Sequence, residues 1–157
     1  MNPVDSVTVV VPDDQVEVAL RLGTSAAIVG EDSFLPHSLV EAVKKHHPRG
    51  RYGWIIQQVI GLYFAWSSQS AGVLVLDSDT LLARPRAFLA DSRKQLLSLS
   101  HEYFQPYEDH AAKVWGPRRR HWGLSYVTHH QLMQPWVLRE MFPTAEHMIE
   151  WLRKASK

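Results

Sequence analysis

The chain contains no cysteine. That absence excludes disulfides, thiolate nucleophiles and cysteine-ligated zinc, and it fits a cytoplasmic protein. Charge of one sign is also missing, because 17 lysines and arginines stand against 16 acidic residues for a formal net charge of +1. Without a basic excess there is no electrostatic footprint for DNA or RNA, so no nucleic-acid partner is expected. The one dense basic run, Arg118-Arg119-Arg120-His121, is short. No apolar stretch approaches the ~20 residues that cross a bilayer. Met1-Asn2-Pro3-Val4-Asp5 lacks the basic and apolar regions of a secretory signal. Internal repeats, low-complexity tracts and interior linkers are absent as well. What remains is 157 residues, 45% of them apolar, which suits one domain with a proper core.

The most informative stretch is Val73-Leu74-Val75-Leu76-Asp77-Ser78-Asp79-Thr80. Four apolar residues, two of them β-branched, run into two carboxylates separated by one small residue. The run predicts an interior strand of a parallel sheet. In open α/β sheets ligands bind just beyond the carboxyl ends of such strands. If the strand continues regularly, Asp77 and Asp79 point to the same side and reach one cation. Oxygen ligands select Mg²⁺ or Mn²⁺, and such an ion can hold the phosphates of a nucleotide and stabilise a diphosphate leaving group. The competing reading makes the pair ordinary turn residues, one of them capping a helix after Pro85. Thr80 either orients a carboxylate or begins the loop.

Around this motif the pattern alternates strand and helix. Val7–Val11 predicts a first strand closed by Pro12, followed by a helix from Asp13-Asp14 to about Leu22, stopped by Gly23. A second strand is expected at Ala26–Val29, then an acidic turn at Glu31-Asp32, a weak helix over 38–45 and a loop at Pro48-Arg49-Gly50-Arg51. Ile56, Val59, Ile60, Tyr63 and Phe64 recur at helical spacing, so a helix runs from Gly53 to about Trp66. With the Val73 strand this completes a βαβ unit. Further strands are expected at Leu96–Ser100 and Leu124–Thr128, and helices at Glu108–Trp115, Pro135–Met141 and after Thr144. The fold class expected is a single α/β domain with a mixed, mostly parallel sheet in three layers. Its strand-rich nucleotide- and metal-binding part covers about 7–100, and its acceptor-side loop and helices about 101–157.

"VLVLDSDTLLARP", from Val73 to Pro85, resembles the Asp-x-Asp strand-loop of nucleotide-sugar-dependent glycosyltransferases of the GT-A type. The wider pattern is similar to a bacterial group of uncharacterised GT-A-like proteins. It includes the Gly53-Trp54-Ile55-Ile56-Gln57-Gln58 helix opening, the His101-Glu102-Tyr103 loop and the Ser125-Tyr126-Val127-Thr128-His129-His130 segment. The likeness spans most of residues 7 to 142. It implies a Rossmann-like fold and a hexosyltransferase-like transfer of a sugar from a nucleotide-diphosphate donor to a hydroxyl acceptor, a glycan or lipid-linked glycan among them. It further implies that Asp77 and Asp79 hold Mn²⁺ or Mg²⁺, and that Gln57 or Gln58 reaches the donor or else serves the helix. Asp13 falls where such folds approach the nucleotide base, although helix capping accounts for it as well.

Two histidines close the pattern. In a strand His129 and His130 face opposite ways, so one at most shares the site; His130 is favoured, as a metal ligand or as a group meeting the diphosphate or acceptor. Glu102 is the candidate base in an inverting transfer, or else a solvent-facing loop acid. Arg118 and its neighbours can meet phosphate as bidentate donors or form a solvated loop. Trp115 and Trp122 can stack on a sugar or pack on the sheet.

GT-A enzymes are usually much longer than 157 residues, so the resemblance implies a minimal member, a truncated product or a fragment. A missing edge strand would favour a homodimer that covers exposed sheet. Two other classes stay in view: a different Mg²⁺-dependent phosphoryl or nucleotidyl enzyme, and a non-catalytic sugar- or nucleotide-binding or structural domain.

Overall fold

The first strand, β1 (Thr8–Val11), is β-branched throughout and ends where Pro12 removes the next backbone donor. The computed structural model describes residues 4–46, 52–116, 125 and 127–155. After Pro12 a 3₁₀ turn at Asp13–Gln15 leads into α1 (Val16–Leu20), so the expected single helix is split. Gly23, at φ 63°, turns the chain back. β2 (Ala27–Gly30) then lies parallel to β1, pairing Thr8 with Ala27 through to Val11 with Gly30. The acidic residues that follow open a short helix, α2 (Glu31–Phe34).

Two longer helices build the core. α3 (His37–His46) and α4 (Tyr52–Ser67) pack on each other and on the last helix, α7 (Ala145–Ala155). Leu39, Val43, Val59, Ile60 and Ile149 are buried at this junction, and Val10 of β1 packs against it. A second cluster joins Ala65 of α4 to Leu138 and Phe142, at and just beyond α6 (Pro135–Met141), and to Met148 of α7. Most aromatic residues here serve the core: Phe34 stacks with Tyr63 and Phe64, Phe142 with Trp151, and the Trp66 indole donates to the Phe142 carbonyl at 2.7 Å.

β3 (Val73–Leu76) lies on this helical layer. Gly61 is where α4 crosses it, because a Cβ there would stand 3.3 Å from a Val75 methyl. The partner of β3 is β6 (His130–Met133), antiparallel, with Val73 opposite Met133 and Leu76 opposite His130. Val73 and Met133 pack on the helices. Over the other face of this ribbon sits a hairpin of β4 (Leu89–Asp91) and β5 (Lys94–Gln95). Gln95 Nε2 donates to the Leu132 carbonyl at 2.9 Å and Gln134 Nε2 to the Ser92 carbonyl at 3.2 Å, holding hairpin and ribbon together. α5 (Gln105–Trp115) follows, ended by Gly116 at φ 82°.

The protein is therefore a small mixed α/β domain with several short sheets. Where one mostly parallel sheet was expected, the described residues form three two-stranded sheets, and no ladder joins β2 to β3. The Val73 strand is not interior to a parallel sheet: its partner is antiparallel, and Leu76 at its end is 41% exposed. Of the strands expected at Leu96–Ser100 and Leu124–Thr128, the described residues show one antiparallel bridge between Ser100 and Ser125, Leu124 and Tyr126 lying outside them, and a longer pairing stands at 130–133. Loop 48–51 and residues 117–124 lie outside the described residues. Among the described residues no helix is long and apolar enough to cross a membrane.

Candidate metal centre

β3 ends at Leu76 and the chain turns at once. The Thr80 N–H donates to the Asp77 carbonyl at 2.9 Å, so Asp77 to Thr80 form a turn rather than the continued strand expected. The β6 side meets this turn through backbone. The Asp77 N–H donates to the His129 carbonyl at 3.0 Å, and the Thr80 hydroxyl donates to the same oxygen at 3.0 Å. Thr80 thus ties the turn to the histidine segment, a role beyond simply starting a loop. The chain runs from Pro85 through the β4–β5 hairpin and reaches its next helix only at Gln105, which leaves the helix-capping alternative without a helix to cap.

The consequence is convergence of three side chains. One ligand atom each from Asp77, Asp79 and His129 lies within 4.8 Å of the others. His129 Nδ1 meets Asp77 Oδ2 at 3.2 Å. Asp77 is half-buried, while Asp79 and His129 are exposed. Two carboxylate oxygens and an imidazole nitrogen form a set that a divalent cation can accept, and the open side leaves positions for water or phosphate oxygen.

The histidine at this cluster is His129, whereas the sequence favoured His130. The reason is the start of β6: His129 stands at the turn beside Asp77, and His130, the first residue of the ladder, directs its ring to the hairpin side. There His130 Nε2 meets the Ser98 hydroxyl at 2.9 Å, and the ring lies edge-on to Phe88. Burial, then the Arg86 guanidinium, then His129 hold its imidazole below the usual histidine range.

The remaining candidates are dispersed. Asp13 acts at a helix start, though not that of its own helix: it accepts the Asp32 N–H at 2.9 Å and the Ser33 hydroxyl at 3.4 Å, at the N-terminus of α2. Gly30 is required for that approach, since a Cβ there would stand 2.3 Å from Asp13 Oδ1. Gln57 and Gln58 are exposed on α4. Glu102 is exposed in a loop pinned through its backbone, its N–H on the Ser100 hydroxyl and its carbonyl on the Ser125 hydroxyl. Arg118 and Trp122 lie outside the described residues, as does the Trp115 side chain. Sequence reasoning missed Arg86 and Ser98. Neither sits in a motif, and only the hairpin brings them to His130.

Residues 1–132 match the model of a family of unknown function, DUF6492. The chain belongs to this family. The matched region takes in β1 to β5, most of β6 and all three residues of the cluster, and it stops before α6 and α7. No curated protein and no solved structure matches the chain. For this DUF6492 member, the geometry at the end of β3 is therefore the direct guide to chemistry.

Proposed function

We propose that Asp77, Asp79 and His129 hold Mn²⁺ or Mg²⁺ against the diphosphate of a nucleotide-sugar donor, and that the protein transfers the sugar to a hydroxyl acceptor in the manner of a GT-A-type glycosyltransferase. The observation that supports the reading is the meeting of these three ligand atoms within 4.8 Å at a strand end. A cation there would draw electron density from the diphosphate leaving group. The residues supply the placement: Asp77 and Asp79 offer carboxylate oxygens, His129 offers an imidazole nitrogen, and the two bonds to the His129 carbonyl hold both halves in register. Gln57, Gln58 and Arg118 are assigned to the donor, and Asp13 to the fold. Glu102 is assigned as the base that would take the acceptor hydroxyl proton in an inverting transfer. His130 is assigned to the acceptor side. A second copy of the chain, pairing along the open edges of the short sheets, would shield them.

The exposure of Asp79 and His129 favours one second reading, a domain that binds a cation or nucleotide without turnover. Calorimetric titration of a panel of nucleotide sugars with Mn²⁺, with Mg²⁺ and with EDTA separates the readings. Metal-dependent binding of one donor, lost in the Asp77→Asn/Asp79→Asn double variant, supports transfer and names the donor for an activity assay. No donor binding by folded wild type would sink the transferase reading. Nucleotide cleavage indifferent to the sugar would instead indicate a phosphoryl or nucleotidyl enzyme.

A further inference from the structure

Charge is divided unevenly along the chain. Residues 1–34 carry six acidic side chains and one basic, a net of −5, whereas residues 35–157 carry sixteen basic and ten acidic, a net of +6. The acidic part also displays apolar side chains. Val10 of β1 packs on the helical core, so Val9, and Val7 just before the strand, face away from it and stay exposed. α1 packs on β2 and buries Ala19, while Val18, Leu20 and Leu22 are 59–74% exposed, interleaved with exposed Glu17 and following exposed Asp14. Parallel strands are as a rule covered on both faces. Here the core covers one face of β1–β2, and a helix of five residues leaves the outer surface apolar and open.

A surface of the opposite sign surrounds the β4–β5 hairpin. Leu96, Leu97 and Leu99, after β5, are 45–60% exposed, and the same stretch exposes Arg84, Arg93 and Lys94. Asp91 is the one acidic residue between Leu81 and Ser100. Lys94 meets it at 3.5 Å, Arg93 lies 5.7 Å from the centre of the Trp136 ring, and on the acidic surface Glu17 meets Arg21 at 3.9 Å. These contacts do not alter the sign of either surface, and attraction between surfaces acts through their net charge.

One surface is apolar and acidic, the other apolar and basic, and every copy of the chain carries both. We infer that the protein associates head to tail, the β1–α1–β2 surface of one copy seated on the hairpin surface of the next. The inference rests on the second-copy reading above and deepens it, by naming β1–β2 and β4–β5 as the short sheets brought together. A contact between unlike surfaces leaves one of each kind unused, so it closes into a ring or grows as an open chain. It needs no metal, because apolar contact and opposite charge hold it.

The test is sedimentation velocity on the full chain in EDTA, over a concentration series. Wild type is expected to associate, about ten-fold more weakly when salt shortens the screening length from about 10 Å to about 3 Å. Glu17→Lys/Leu22→Lys spoils the acidic surface, and Lys94→Ser/Leu97→Ser spoils the basic one. Each variant alone should be monomeric, and an equal mixture should form a single one-to-one complex through the two surfaces left intact. Asp14→Lys/Leu20→Lys with Arg84→Ser/Leu96→Ser repeats the mixing test at other exposed positions, should either first variant fail to fold. Wild type that stays monomeric at every concentration would overturn the inference together with the second-copy reading. Association that survives both variants, or monomeric variants that do not combine on mixing, would overturn the head-to-tail contact while leaving pairing of like edges in place.

Discussion

From Leu35 to Ala65 the chain buries one apolar residue after another, with Leu39, Val43 and Val59 at 2% exposure or less, whereas among the described residues from 66 to 116 none is fully buried. The first region is held by side-chain packing between α3, α4 and α7. The second, which carries the Asp77 turn and the hairpin, is held mainly by hydrogen bonds: Asp77 and Thr80 to the His129 carbonyl, Gln95 to Leu132, Gln134 to Ser92. The division puts most hydrophobic stabilisation in one part and the candidate chemistry in the other. Packing is non-directional and tolerates no gap, while hydrogen bonds can fix a few polar groups beside solvent. A polar site at the rim can therefore change without unfolding the core.

The largest expected effect breaks the packed side. Leu39→Ala should cost about 2–5 kcal/mol of stability in urea unfolding, as for other fully buried leucines. Cation affinity of the fraction that stays folded should be unchanged, and a parallel loss of affinity would show that the two regions are coupled. Next comes the site itself. Asp77→Asn/Asp79→Asn should lower divalent-cation affinity in calorimetry by more than the roughly 10–100-fold that loss of a merely supporting residue costs. The unfolding midpoint without metal should move by no more than about 0.5 kcal/mol equivalent, because Asp79 is exposed and Asp77 is only half-buried at the rim.

Smaller effects sharpen the comparison at the border between β2 and α2. Gly30→Ala would drive a methyl into the Asp13 carboxylate and should cost about 1–3 kcal/mol, seen as a lower thermal midpoint. The smallest effect concerns Glu31, whose carboxyl is held above its ordinary value of 4.5 by partial burial, then by Asp13 and Asp32. A raised carboxyl favours the protonated form in the folded state. Its contribution is complete below the unfolded value and is lost as pH rises through the folded one. Glu31→Gln should therefore stabilise the protein at pH 7 but not at pH 3, by about 0.5 kcal/mol or less given the exposure of the site. Equal effects at both pH values would remove the electrostatic explanation.

Much of the fold was legible. The apolar spacing of Ile56, Val59, Ile60 and Tyr63 marks α4, found at Tyr52–Ser67, and Pro135 marks the start of α6. The β-branched runs locate β1 and β3 to within a residue. β6 was harder to see, because His130-Gln131-Leu132-Met133 contains no β-branched residue and takes its strand conformation from pairing with β3. The hairpin was missed for a similar reason: Leu89–Gln95 is mostly polar and exposed, and its place depends on side-chain amides donating to carbonyls about 40 residues away.

The sequence by itself determined that a cation-compatible carboxylate pair stands directly after a strand, since apolar run and acidic end are contiguous and local. Which histidine joins the pair was decided by tertiary structure. A period-two strand presents neighbouring residues to opposite faces, and only the register of β6 on β3 sets which face receives which. That register places Leu76 opposite His130 and leaves His129 beside Asp77. The same pairing turns His130 toward Ser98, so one long-range ladder gives two neighbouring histidines different partners.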